Sequence, residues 1–345
     1  MSSTTTGASP RGGGRRSGRR NVLLAGIAAA LLCAVAACGG GNTGQSAQPT
    51  TGGAASGVDA AAFPQTLSSP FGQTTLAAEP KRVVAIGVAE RDTTLALGVT
   101  PVAVGGYGDI DAWFTSALGS QPAVENLEIS DGIPFEKIAS FNPDLIITGW
   151  GKEADYKQLS TIAPVLWQVS DSFSTDWRSQ VTAIAKALGR SAQGAKLVAD
   201  TDAKIKATAA ANPGFAGKTF TFSTYDPGLA NTVDLPTAPV AQFFGDLGLK
   251  LKPELADPKS VYSREVSTEQ LGLIDADVIA IYPSSPEAKA ELEGLRTFQS
   301  LNGVKAGGVV FLDDALANGV NSPTLLSIPF VLDKLTPMLA QATKA

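Results

Sequence analysis

Carboxylates and aromatic rings are the groups through which this chain could do chemistry, because it has no histidine and only two cysteines. Without imidazole, both the commonest metal ligand and the commonest neutral-pH general base are missing. Zinc or manganese capture, histidine-based triads and HExxH hydrolysis therefore lose their usual residues. The carboxylates that stand in a pattern are Glu136 with Asp144, in IPFEKIASFNPDLIITG, and Glu269 with Asp277, in VSTEQLGLIDADVIAIY. In both stretches the Glu precedes the Asp by eight positions, an apolar residue follows two places after the Glu, and an apolar run follows the Asp. Each stretch reads as helix, turn and buried strand, so the repeat predicts two lobes of similar build with one carboxylate on each matching helix. A Glu in a helix first turn is favoured by the helix dipole and is free to pair with a partner's arginine. The plainer reading is that both only stabilise their helices, Ser267 and Gln270 already resembling a capping box.

The second set is aromatic. Tyr107 and Trp113 follow the second strand, Trp150 follows Thr148-Gly149, and Tyr225 and Tyr282 follow strands in the second half. In open α/β sheets ligands bind beyond the carboxyl ends of the strands, so exposed rings there would make a flat, apolar, polar-tipped cleft for a bulky ligand. Arg91, just after the first strand's loop, could meet an anionic ligand or simply cap a surface. Trp167 and Trp177 read as structural. Asp109 with Asp111, and Asp313 with Asp314, read as solvated turn residues rather than paired hydrolytic carboxylates. Gly189-x4-Gly194 has Ala195 where a phosphate loop needs Lys, and no strand precedes it. Gly105-Gly106-Tyr107-Gly108 lacks the spacing and the later acid of a dinucleotide fingerprint. There is no Gly-x-Ser-x-Gly elbow.

The elements that must position these residues alternate between strand and helix. Apolar runs at Val83–Ile86, Pro101–Val104, Leu145–Thr148 and Val165–Trp167 are separated by helical stretches such as Ala89–Leu97 and Glu153–Ile162. That rhythm predicts an α/β fold with an open, mostly parallel sheet. A helical run from Asp176 to Leu188 then leads, past Gly189, into a helix from Ser191 to about Ala211 that Asn212-Pro213-Gly214 ends. At 1.5 Å per residue it spans about 30 Å, roughly a domain diameter. A second lobe follows, with strands at Thr219–Ser223, Val278–Tyr282 and Val309–Leu312. Its last helix begins near Ser322-Pro323 and should break at Thr336-Pro337.

The ends of the chain are legible in composition. Residues 1–37 hold five Arg and no acid, and their apolar run from Val22 to Ala37 is too short for a comfortable membrane span. They read as a secretory signal, with a loose twin-arginine match at Arg19-Arg20, and Val35-Ala36-Ala37-Cys38-Gly39 looks like a lipobox whose Cys38 would carry the lipid. Residues 38–62 read as a tether, 63–175 as an N-terminal lobe, 176–214 as a helical connection and 215–345 as a C-terminal lobe. With Cys33 in the discarded signal and Cys38 lipidated, no disulfide and no cysteine nucleophile is expected. The chain beyond residue 37 carries 22 basic and 32 acidic residues, a poor match to nucleic acid.

Taken in order, the lipobox and tether, FGQTT…EPKRVVAIG, ALGVTPVAVGGY, FEKIASFNPDLIITG and STEQLGLIDADVIAIY resemble an actinobacterial iron–siderophore ABC-transporter substrate-binding lipoprotein. The resemblance implies two Rossmann-like lobes joined by one rigid interdomain helix, with the ligand held between the lobes and little opening or closing. It implies a monomer that is not an enzyme, anchored by its lipid to the outer face of the cell membrane. It implies no cofactor and no metal ligands of the protein's own, since the iron arrives chelated. Glu136 in FEKIA and Glu269 in STEQL would dock on an ABC permease dimer, with Glu136 facing away from the cleft. Arg91, Tyr107, Trp113, Trp150, Tyr225 and Tyr282 would surround the ferric siderophore. Relatives that bind tris-catecholates often place Arg after two lobe-two strands, where this chain has Tyr225-Asp226-Pro227-Gly228 and Tyr282-Pro283-Ser284-Ser285. That leaves hydroxamate, mixed or carboxylate chelates, with cobalamin or haem binding and an extracellular hydrolase as the rival readings.

Overall fold

The computed structural model describes residues 57–167 and 176–344. A hairpin of β1 (Gln65–Ser69) and β2 (Gly72–Leu76), not anticipated as such, opens it. Lobe one then runs β3 (Val83–Ile86), α1 (Val88–Ala96), β4 (Ala103–Gly106), α2 (Ala112–Leu118), β5 (Glu125–Glu128), α3 (Phe135–Ser140), β6 (Leu145–Thr148), α4 (Glu153–Leu159) and β7 (Val165–Trp167). Its five strands are all parallel, in the order β5-β4-β3-β6-β7. The inner strand β3 is apolar at every position, and β6 at all but Thr148, because both faces are covered, whereas edge strand β5 is polar and mostly exposed. Val84, Ile86 and Ile146 pack on one side, while Val83, Leu145 and Ile147 pack on the other.

Two helices connect the lobes, α5 (Trp177–Ala187) and α6 (Ser191–Ala211), the second with the bounds its sequence predicts. The amino end of α6 is capped from upstream. Asp59 Oδ2 accepts from the Ser191 N–H at 2.5 Å, and the Asp59 N–H donates to the Gly189 carbonyl at 2.7 Å. Asp59 lies inside the stretch expected to be tether, so ordered structure begins ahead of Phe63.

Lobe two comprises β8 (Thr219–Asp226), β9 (Leu229–Val233), α7 (Pro239–Asp246), β10 (Lys250–Leu251), β11 (Ser263–Ser267), β12 (Val278–Pro283), α8 (Pro286–Gly294), α9 (Arg296–Gln299), α10 (Asn302–Lys305), β13 (Val309–Phe311), α11 (Asp314–Asn321) and α12 (Ser327–Ala342). The sheet order is β11-β9-β8-β12-β13, with β10 beside the start of β8. β9 runs antiparallel to both β8 and β11, and the other pairings are parallel. α12 continues through Pro337 instead of breaking there. Val331, Leu335 and Leu339 are buried in the lobe-two core, and their burial outweighs the roughly 3 kcal/mol an interior proline costs.

The repeated unit has a shared structural reason. Asp144, just before β6, accepts from the N–H groups of Lys81 and Arg82 at 2.7 and 2.8 Å, where the chain enters β3. Asp277, just before β12, accepts from the Thr219 N–H at 2.8 Å, where the chain enters β8. In each lobe the aspartate satisfies backbone donors at the foot of the neighbouring strand. The glutamates are less alike. Glu136 is in the first turn of α3, but Glu269 sits in a turn ahead of a 3-10 segment, Leu271–Ile274, rather than in an α-helix. Ser267 ends β11, so no helical capping box forms there.

Candidate functional site

In both sheets the strand order reverses at the first strand of the lobe. β3 lies between β4 and β6, and β8 lies between β9 and β12. The crevice at such a switch point, outside the carboxyl ends of the strands, is where open α/β sheets hold ligands. α1 and α2 leave those ends in lobe one, and α11 leaves the end of β13 in lobe two. These helices meet. Thr324, between α11 and α12, donates its hydroxyl to Asp92 Oδ2 at 2.6 Å, and Asn318 Nδ2 donates to Asp111 Oδ1 at 3.4 Å. Trp113 and Phe330 stack at a tilt with centroids 5.5 Å apart. The two sets of strand ends therefore share one junction.

On the lobe-one side, Tyr107 follows β4 and Trp150 follows β6. Their rings meet edge to face with centroids 5.0 Å apart, yet stay 57% and 41% exposed, a large apolar surface left uncovered. The loop bearing Tyr107 is fastened by Glu128 at the end of β5, whose carboxylate accepts from the Gly108 N–H at 2.9 Å. Bonds from the Ser130 hydroxyl and from the backbone of Gly108 and Ser130 hold Glu128 down at about 2. On the lobe-two side, Tyr282 ends near the close of β12, partly exposed, and donates its hydroxyl to Asp314 Oδ1 at 2.6 Å. That bond, with burial and the charges of Asp314 and Asp226, pushes the phenol up to about 12.

The other three expected site residues stand differently. Trp113 is buried on α2, and its indole N–H donates to Asp92 Oδ2 at 2.8 Å. Tyr225 is not beyond its strand but within it, because β8 runs on to Asp226 and hairpins into β9. It is paired to Ala230 on one side and Pro283 on the other, its ring is fully covered, and its hydroxyl donates to Glu291 at 2.7 Å. The expectation of exposed rings at these two positions is corrected accordingly. Arg91 is neither a free anion clamp nor a surface cap. It is 3% exposed, bonded to Asp92 at 3.2 Å and to Asp111. Asp111 is thus an ion-pair partner, not a solvated turn residue, and Asp313 caps α11 by accepting from the Leu316 N–H at 2.8 Å.

Sequence reasoning passed over two acids in this region. Glu90 and Asp92 flank Arg91 in the first turns of α1, 5% and 0% exposed. Burial pushes Asp92 up to about 6, against the pull of Arg91 and the bonds from Thr324 and Trp113. Burial pushes Glu90 up to about 7, and the charge of Asp92 adds to it. The available signal was three consecutive charges, Glu90-Arg91-Asp92, separated by only two residues from Gly87 and the wholly apolar β3. That glycine has φ 124°, and a Cβ built on it would run into the Glu90 carboxylate.

Glu136 and Glu269 are both exposed. The register places Ser267 level with Leu229 and hence with the carboxyl end of β8, while α3 begins shortly after β5 ends. Both glutamates therefore lie at the cleft pole, beside the outer strands β5 and β11, and not on the face turned from it. Cys38 lies outside the described residues. Among the described residues no cluster of three or more His, Cys, Asp or Glu is arranged to hold a metal ion, and no helix is long and apolar enough to cross a membrane.

A sequence profile described as "Periplasmic binding protein" matches residues 82–316. Among curated relatives, the Fe(3+)-citrate-binding protein YfmC of Bacillus subtilis is 29% identical over 247 residues, 70% of this chain and 76% of YfmC. The probable siderophore-binding lipoprotein YfiY of the same organism is 30% identical over a shorter stretch, 37% of this chain and 39% of YfiY. Among solved structures, the iron-uptake substrate-binding protein PiaA of Streptococcus pneumoniae superposes with a TM-score of 0.71 at 30% identity. The match covers 81% of this chain and 99% of PiaA. PiaA is also known in complex with ferrichrome, at 29% identity and the same TM-score.

Proposed function

The chain belongs to the periplasmic binding protein family, and on that premise we propose that it captures a ferric siderophore between its lobes and delivers it to an ABC importer. The observation that carries the reading is the exposed Tyr107–Trp150 pair at the switch point of lobe one, with Tyr282 at the matching strand end of lobe two. Two flat rings suit the broad apolar flank of an iron chelate, and the tyrosine hydroxyls suit its polar rim. The relatives named for siderophore and ferric citrate binding, and the ferrichrome complex of PiaA, support iron chelates over cobalamin or haem. The protein binds and releases without turnover, and the chelate brings its own iron ligands. Arg91, Trp113 and Tyr225 serve behind the surface, holding α1, α2 and the β8–β9 hairpin in place.

Delivery would use Glu136 and Glu269, one beside each outer strand at the cleft pole, each meeting an arginine of one permease subunit. Their shared pole lets a permease contact both lobes across the cleft mouth. Cys38 would carry the lipid that keeps the protein at the outer face of the membrane. Titration with ferric hydroxamates, catecholates and mixed chelates, with cobalamin and haem as controls, should quench tryptophan emission only for ferric chelates. Quenching by cobalamin or haem alone overturns the substrate. The E136A/E269A variant should lose uptake in cells while keeping chelate affinity within about threefold of the parent. Loss of affinity or of folding in that variant overturns the docking role.

A further inference from the structure

Four observations at the strand ends concern charge. First, the Glu90 carboxylate is 5% exposed and has no other residue as a hydrogen-bond partner among the described residues. It fills the space in front of Gly87, where the indole edge of Trp150 also arrives, its Cδ1 3.3 Å from the point a Cβ would occupy. A buried carboxylate held only by its own backbone and by the charge of Arg91 is costly to keep, and a site that retains one next to an exposed aromatic pair is suited to meet a positive charge. Second, Arg91, which a sequence reading offers to an anionic ligand, is shared between Asp92 and Asp111 and has no charge to spare.

Third, the facing strand ends of lobe two add acids. Asp314 holds the Tyr282 hydroxyl, Asp226 lies close enough to influence the same phenol, and both carboxylates are exposed. Fourth, the cations here are few. Lys289 lies over the Phe311 ring at 4.5 Å, and the exposed Lys152 stands directly before Glu153 at the start of α4. A surface with this balance repels anions and draws cations, and the faces of Tyr107 and Trp150 favour cations as well.

We propose that the cleft selects a ferric chelate bearing a pendant ammonium group, with Glu90 beneath the Tyr107–Trp150 pair as its counter-charge. This rests on the reading of the protein as a ferric-siderophore carrier and names the charge class within it. Anionic chelates, such as ferric citrate and ferric tris-catecholates, would meet Glu90, Asp226 and Asp314 without a free arginine to balance them. A neutral hydroxamate would be accepted but not preferred. Glu90 titrates with Asp92 and Arg91 facing it on α1 and Asp111 behind Arg91. Because burial holds Glu90 near 7, it gains its charge between pH 6 and 8, and the preference should grow over that interval.

The test is a fluorescence titration of the full chain with one linear ferric tris-hydroxamate in three forms: free terminal amine, N-acetylated and N-succinylated. Iron coordination is the same in all three, and only the pendant charge changes. At pH 8 the expected affinities fall by about tenfold per step from amine to acetyl to succinyl, with the first step shrinking to about threefold at pH 6. In E90Q the first step should be about threefold at both pH values. Equal affinities, or tighter binding of the succinylated form, overturn the inference and leave the carrier reading intact. A pH-independent preference, or one unchanged in E90Q, removes Glu90 from it. If none of the three binds, and neither ferric citrate nor a ferric catecholate does, both the inference and the carrier reading fail.

Discussion

The two lobes solve one problem in opposite ways. Each ties a glycine-containing loop at the end of a strand with a carboxylate: Gly108 N–H to Glu128 in lobe one, Gly228 N–H to Glu291 in lobe two. Yet the tyrosine next to the first loop is the most exposed large ring among the described residues, and the one beside the second is sealed. The difference lies in what the strand does next. β4 stops at Gly106 and passes to α2, so Tyr107 leaves the sheet. β8 continues to Asp226 and turns back as β9, so Tyr225 is inside a three-strand pairing. A ring at a strand end is available to a ligand only if the strand has ended.

The comparison extends to the acids beside the cleft rings, since Glu90 next to Trp150 is buried while Asp314 on Tyr282 is exposed, and this gives the largest expected effect. The ordinary glutamate value of 4.5 is raised to about 7 in Glu90, so the protonated acid is the form the fold favours. The stability this contributes is fully present below about pH 4.5 and is lost as pH rises through 7, a loss of about 3 kcal/mol by pH 8. E90Q should therefore melt higher than the parent at pH 8 and match it at pH 5. Equal melting shifts at both pH values would sink the buried-acid account. Next, Y107A/W150A should weaken ferric chelate binding by about 2–3 kcal/mol, read by calorimetry, with little change in melting temperature. A loss of stability larger than the loss of affinity would mean that these rings belong to the core.

Third in size, T324V removes the bond to Asp92 together with the bonds Thr324 accepts from Leu326 and Ser327. It should cost about 2 kcal/mol in urea unfolding, and a neutral result would mean that the junction adds nothing to stability. The smallest effect is expected from Y225F, about 1 kcal/mol of stability with chelate affinity kept within about twofold. If Y225F instead lost affinity tenfold, the contrast between the two tyrosines would collapse.

Much of the frame was legible because it is periodic. The wholly apolar run VVAI marked β3 and the run LIIT, apolar but for Thr148, marked β6, and the bounds of α6 followed from Gly189, Ser191 and Asn212-Pro213. The aspartates of the repeat were readable too, since a carboxylate placed just before a buried strand has one common use. What stayed hidden depends on partners distant in sequence. Nothing near Arg91 announces that Asp111 will neutralise it, and nothing near Trp113 announces that Asp92 will take its N–H. The hairpin that covers Tyr225 was missed because Leu229–Val233 has only five residues and no strong alternation, and its burial is decided by β8 and β11. The helix of the second repeat shrank to a 3-10 segment, where capping logic derived for α-helices no longer applies.

The cap that Asp59 places on α6 fixes where the chain enters the folded body. Arg190, beside that cap, donates to the carbonyl of Leu97 at 3.0 Å, and Leu97 closes the helix that began at the cleft end of β3. The point of attachment is thus at the pole opposite the cleft mouth. If Cys38 is the membrane anchor, the protein is a bucket hung by its base, whose mouth must nonetheless reach the membrane to empty. The roughly twenty residues from Cys38 to Asp59 reach at most about 70 Å. On that proposal leash length would govern emptying and not filling, because a chelate arriving from outside would find the mouth at any length, while a permease below would find it only where the leash lets the body turn over.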